Sequence, residues 1–272
     1  GCNPRLEAPI LGHRIRKAWK GGAKISAINP VDFDFNFDLS HKAIVAPQAM
    51  IESLAAVLAA TGAGTDGLPA ELAAVVSGAQ IEDGHRAVAE QLKSASVALI
   101  QLGESALGHA NASWLRALAS ALSRATGARL NVLERGANAL GLARAGVLPK
   151  GLDARAMLAQ PRSSYLLYGI EPEFDFADNT LALQALSQAK QVVAFSAFVT
   201  ETLKRCANVI LPIALLPEIE ASLVNAHGQT QLVNAGAKAP GEARAGWRLL
   251  RALGEAMKLD GFDFIDIHGL RA

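Results

Sequence analysis

Cysteine is almost absent: Cys2 and Cys206 are the only two in 272 residues, far apart and outside any CxxC. An iron–sulfur cluster takes about four thiolates and a structural zinc about four Cys or His ligands, so neither can be assembled from cysteine here. So low a count suits a reducing compartment and leaves a disulfide open. Long apolar runs are also lacking. A bilayer span needs roughly 20 apolar residues. The longest stretches, around Val192–Val199 and Val209–Leu216, are strand-length, and Pro212 interrupts the second. No signal peptide is visible, and an excised fragment would not show one. Charge is nearly balanced, 26 basic against 25 acidic residues, which gives no reason to expect a nucleic-acid or acidic-membrane partner. The basic residues among the first 24 read as a solvated helix face. Six histidines (13, 41, 85, 109, 227, 268) show neither HExxH nor HxH spacing and read as surface or capping groups. There is no GxSxG elbow and no P-loop lysine. The sequence offers no catalytic constellation and no metal site.

Apolar residues make up 51% of the chain and charged residues 19%, which excludes disorder; the length favours about two domains. Strands are expected at Lys24–Ile28, Lys42–Ala46, Val97–Leu102, Leu130–Leu133, Tyr165–Tyr168, Gln191–Phe195 and Asn208–Leu211. Helices are expected near Leu6–Lys20, Ala49–Ala60, Pro69–Val76, Glu82–Lys93, Ser113–Thr126 and Thr180–Gln188. Such alternation implies an α/β fold, mostly parallel sheets with helices on both faces. The expected division is a first α/β lobe over residues 1–90 and a second over 91–272, the latter ending in an extended segment and a helix.

The chain opens on "GCNPRLEAPILGHRIRKAW", a turn followed at once by a helix and preceded by no strand. The expectation is a fragment of a longer chain whose first lobe is truncated at its start. A weak internal repeat supports two related lobes. "GCNP", "AKISAIN" and "KAIVAP" reappear as "GIEP", "AKQVVAF" and "CANVILP", with Pro4 and Pro172 three residues after their glycines; chance similarity of strand–turn–helix units is the alternative. A glycine turn at a strand's C-terminal end lets a ligand approach backbone, and the helix behind it favours anions. "TGAGTDG" satisfies GxGxxG through Gly62, Gly64 and Gly67, but it follows a helix instead of a strand, so Gly62 reads as a helix C-terminal glycine in a connector. Glu218 and Glu220, two apart after Pro217, face one side if extended and read as a solvated loop.

The run Asn3-Pro4-Arg5, Glu7-Ala8-Pro9 and Arg14–Trp19 closely resembles the large iron–sulfur subunit of NADH-quinone oxidoreductase, respiratory complex I. Thr200, Glu201, Thr202, Val209–Pro212, Glu218, Asn225, Gly228 and Gln231 are similar to a second segment of that family, and Pro240–Met257 to its closing helix. Asn208, His227 and Gln229 depart from it, standing where Asp, Glu and Arg are usual. The resemblance implies two Rossmann-like lobes of the molybdopterin-oxidoreductase type found in formate dehydrogenase and DMSO reductase (domains 1–3). It implies a cofactor-less scaffold in which Gly1, Asn3, Gly169 and Glu171 are vestigial dinucleotide-loop positions. Iron–sulfur clusters are expected in an N-terminal part of the subunit outside this chain. Other subunits of the peripheral arm are the expected partners, without membrane insertion, on the cytoplasmic side of a bacterial inner membrane or the mitochondrial matrix side. The competing expectation is a pterin- or nucleotide-binding lobe of a molybdenum-dependent oxidoreductase.

Overall fold

The computed structural model describes residues 1–271 as two compact units, Gly1–Ala139 and Leu140–Ala272. In the first unit the order is α1 (Pro4–Glu7), α2 (Pro9–Lys20), β1 (Ser26–Asn29), β2 (His41–Ile44), α3 (Met50–Ala60), α4 (Ala70–Ser77) and α5 (Asp83–Ser94). It continues with β3 (Leu99–Leu102), α6 (Glu104–Leu107), α7 (Ala112–Thr126) and β4 (Arg129–Val132). All seven expected strands form, within a few residues of their expected bounds. The expected first helix is two. Pro9 forces Ala8 into an extended conformation (φ −151°, ψ 79°) and starts a new helix.

β1 pairs in parallel with β2, and β3 with β4. Helix α3 is apolar on nearly every face because it is the hub of the unit. Met50, Ala55, Val57 and Leu58 pack with Leu72 and Val76 of α4, Leu102 of β3, and Leu115, Leu118 and Leu122 of α7. This cluster explains why the units meet after residue 139 and not at 90, where the sequence suggested a division. The β3–α7–β4 segment buries its apolar side against α3, and it belongs with what precedes it. Gly62, at φ +72°, turns the chain out of α3 as the connector reading expects.

The second unit contains α8 (Ala139–Arg144), α9 (Ala154–Ala159), β5 (Ser164–Tyr168), α10 (Pro172–Asp175), α11 (Asn179–Gln188), β6 (Gln191–Ser196), α12 (Glu201–Cys206) and β7 (Val209–Pro212). After them come β8 (Ala221–Val224), β9 (Thr230–Val233), α13 (Gly246–Ala256) and α14 (Ile267–Arg271). Strands β5, β6 and β7 form one parallel sheet in that order. Leu167, Val192 and Ala194 pack against Leu186 of α11 and Leu203 of α12. Pro212 is tolerated because β7 lies at the sheet's edge. The antiparallel hairpin β8–β9 was not expected. Its loop is closed by Asn225, whose Oδ1 accepts from the backbone of His227 (3.0 Å) and Gln229 (3.1 Å), with Gly228 at φ +79°. The fold is therefore mixed α/β with small, mostly parallel sheets.

Candidate functional site

In a parallel α/β sheet, ligands meet the C-terminal ends of the strands, and both glycine turns lie there. In the second unit Gly169 follows β5 directly, and its N–H donates to Phe195 O of β6 (2.8 Å). In the first unit Gly1 lies between two strand ends. Its amino group donates to Ile28 O (2.5 Å), and its carbonyl accepts from Ala106 N (3.3 Å), just beyond β3. Asn29, 1% exposed at the end of β1, holds the turn from the side. Its Oδ1 accepts from Cys2 N (2.9 Å), and its Nδ2 donates to Cys2 O (3.3 Å). Sequence reasoning named Gly1 and Asn3 and passed over Asn29.

The two turns share a feature that sequence reasoning also missed. Asn3 N donates to Glu7 Oε1 (2.5 Å), and Glu171 N donates to Asp175 Oδ2 (2.7 Å). In each turn the third residue gives its N–H to a carboxylate four residues on. Asn3 and Glu171 also precede the short helices α1 and α10. Glu7 reaches further: its Oε2 accepts from Glu104 N, the first residue of α6 (2.6 Å). In the second unit Glu173 plays the corresponding part, its Oε1 accepting from Thr202 N in the first turn of α12 (3.4 Å). Burial pushes the Glu173 carboxyl up, but hydrogen bonds from its own backbone, from the Thr200 hydroxyl and from Thr202 outweigh it and hold it below the usual carboxylate range. Thr200 itself caps α12, its Oγ1 accepting from Leu203 N.

Burial, together with the Glu7 carboxylate, pushes the Cys2 thiol up to about 12. A thiol so protonated is neither a nucleophile nor a ready metal ligand. Burial likewise raises Cys206, which lies in the other unit. Of the histidines, His85 Nδ1 accepts from Glu82 N at the start of α5, as a capping group does. His109 Nδ1 accepts from Asn111 N (2.9 Å), which places the ring proton on Nε2 and directs it to Pro47 O (3.0 Å). Both its nitrogens are occupied. Glu218 caps a 3-10 turn by accepting from Leu215 N, and Glu220 is exposed.

A model of the molybdopterin oxidoreductase family matches residues 1–256. The chain belongs to that family. The family name implies a pterin cofactor, and for a dinucleotide form the group to be held at such turns is a pyrophosphate. The first unit of this molybdopterin oxidoreductase domain does not fit it. The N–H groups of Asn3 and Glu104, which would face a phosphate, already donate to Glu7. The space beside the glycines is filled by protein. A methyl group on Gly1 would lie 2.6 Å from Ala106 N, and one on Gly103 2.5 Å from Glu7 Oε2 and 2.6 Å from Cys2 Cβ. The nearby cavity of about 390 Å³, lined by Pro30, Pro47, Gln48, Met50, Ser105 and His109 among others, has no Lys or Arg on its wall. The second unit differs in one respect: a methyl group on Gly169, at φ +63°, would meet no atom within 4 Å. Its turn N–H, that of Glu171, is nonetheless taken by Asp175. Among the described residues, no three His, Cys, Asp or Glu side chains gather where a metal ion could be held, and no helix is long and apolar enough to cross a membrane.

Proposed function

We propose that this domain, with its two units as Rossmann-like lobes, is a cofactor-less scaffold of the large iron–sulfur subunit of NADH-quinone oxidoreductase. The complete enzyme passes electrons from NADH to quinone through iron–sulfur clusters. This part carries none of them and supports the electron-carrying region and neighbouring subunits of the peripheral arm. Its location on this reading is the cytoplasmic side of a bacterial inner membrane or the matrix side in mitochondria. The run from Asn3 to Trp19 and the segment from Thr200 to Pro212 support the family assignment.

The single observation that carries the scaffold reading is the Glu7 carboxylate bridging Asn3 N and Glu104 N. An internal anion satisfies the donors that a pyrophosphate would need. A phosphate forced in beside it would stand about 4 Å from a like charge, a repulsion on the order of 4 kcal/mol at an effective dielectric of 20. That is close to a thousandfold in affinity.

The open space beside Gly169 is what favours the competing reading, a pterin- or nucleotide-binding lobe. Titration with inorganic pyrophosphate and with GMP, followed on the backbone amide NMR signals of Asn3, Glu104 and Glu171, separates the two. The scaffold reading expects no saturable shift up to about 10 mM. Saturable shifts in the micromolar range at either turn would establish the binding lobe instead.

A further inference from the structure

In the segment joining β1 to β2, Phe33, Phe35 and Phe37 alternate with Asp34 and Asn36. Those strands are parallel, so the chain must return from the C-terminal end of one to the start of the other, a crossover that a helix usually makes. No helix forms here. The three phenyl side chains are half-buried instead, while Asp34 and Asn36 are exposed. The rings pack on one another, Phe33 edge-on to Phe35 (centroids 6.4 Å apart) and Phe35 stacked on Phe37 (5.4 Å, 13° between planes). Two ion pairs fasten the segment: Asp32 to Lys42 of β2 (2.6 Å) and Asp34 to Arg5 of α1 (2.8 Å). Phe35, Asn36 and Phe37 line a cavity of about 180 Å³ together with Arg5, His13 and Arg16. His13 and Arg16 stand three apart on α2 and so share one face of that helix.

The lining is basic and carries no carboxylate. Of the acids on the segment, Asp32 and Asp34 are engaged by Lys42 and Arg5, and Asp38 is not on the cavity wall. His13 and Arg16 make no hydrogen bond or ion pair among the described residues, which leaves their donors for a ligand. A guanidinium fork takes both oxygens of a carboxylate, and aromatic rings take a flat apolar body. The volume lies below the roughly 300 Å³ at which sites for drug-sized ligands begin, so a nucleotide is too large. We propose that this cavity binds a small aromatic carboxylic acid, its carboxylate on Arg16 and His13 and its ring against Phe35 and Phe37. Charge alone does not suffice, because a single ion pair at an exposed guanidinium contributes little. The ring therefore distinguishes the ligand from a simple anion. None of the glycine-turn residues lines this cavity, which takes it beyond the scaffold reading.

The test titrates the full chain, at fixed pH and ionic strength, with benzoate, cyclohexanecarboxylate, benzamide and acetate. Binding is followed on the backbone amide NMR signals of His13, Arg16, Phe35 and Phe37. Benzoate should shift these four along saturable curves with a Kd below about 1 mM. Benzamide lacks the charge and acetate the ring, so each should bind at least about tenfold more weakly. Cyclohexanecarboxylate keeps the charge without a flat face and should bind several-fold more weakly than benzoate. Arg16→Gln should weaken benzoate by at least about tenfold and leave the fold intact, because Arg16 is exposed and unpaired. Phe37→Leu should weaken it too; if that change disturbs the fold, Arg16→Gln decides alone. Absence of a saturable benzoate shift overturns the proposal, as does benzoate binding no better than any of the other three. Unchanged binding in Arg16→Gln also overturns it. So do shifts of equal size at Arg14, Lys17 and Lys20, which would mark loose ion association along α2.

Discussion

Replacing Asn29 with alanine removes the one side chain that holds both the N–H and the C=O of Cys2. The side chain is 1% exposed, and its bonds to Cys2 are 2.9 and 3.3 Å long. Each hydrogen bond contributes about 1 kcal/mol net, and a buried polar group left without a partner costs about 1–3 kcal/mol. Cys2 is only half-buried, so water can recover part of the loss, and the expected destabilisation of the first unit is about 2–4 kcal/mol. Asn29 and Cys2 both belong to the first unit, so the measurement must report on that unit alone. Urea unfolding of a Trp247→Phe chain does so, because the remaining tryptophans, Trp19 and Trp114, both lie in the first unit. The midpoint should fall with the slope unchanged. Asn29→Asp should rescue only partly, since it keeps the acceptor for Cys2 N and loses the donor to Cys2 O. A loss below about 0.5 kcal/mol for Asn29→Ala would refute the claim that this residue fixes the turn.

Three further outcomes are expected. For the chain beginning at Gly1, the amino group binds a proton less readily folded (about 6) than unfolded (8.0), so the unfolded state holds more protons between those values. Stability should then rise by about 2 kcal/mol from pH 6 to pH 8, and N-terminal acetylation should flatten this step in urea melts. The Cys2 thiol, with its pKa near 12, should react with a disulfide reagent at pH 8 about a thousandfold more slowly folded than in urea; equal rates would contradict the burial of the turn. Gly103→Ala puts a methyl against Glu7 and Cys2 and should cost at least about 2 kcal/mol. Gly169→Ala meets no atom and suffers only its positive φ, for about 1 kcal/mol, a contrast that paired thermal melts would reveal.

The α/β alternation was legible because each strand is a short apolar run between turn residues and each long helix has a clear period. Hairpin β8–β9 was not, since Thr230-Gln231 is polar and exposed; Asn225 and Gly228 were the available signal. Helix α12 was overlooked because Glu201–Cys206 is too short for its period to register, although Thr200 is an ordinary cap. The unit boundary depended on α7 packing against α3, a contact distant in sequence that composition does not encode. At the turns, the repeated Gly and Pro positions were readable. The decisive acids were readable too: Glu7 and Asp175 stand six residues after Gly1 and Gly169. Their meaning emerged only once each was seen accepting the N–H that an anionic ligand would take. Asn29 gave no signal, because a single polar residue closing a strand is ordinary until its neighbour across the sheet is known.

The most direct test of the scaffold account is the content of the chain purified from cells that make molybdopterin. Molybdenum and tungsten are measured by elemental analysis after a chelator wash, and pterin by fluorescence after oxidation. The account predicts neither metal nor pterin above background. Near-stoichiometric, chelator-resistant metal together with pterin would contradict it.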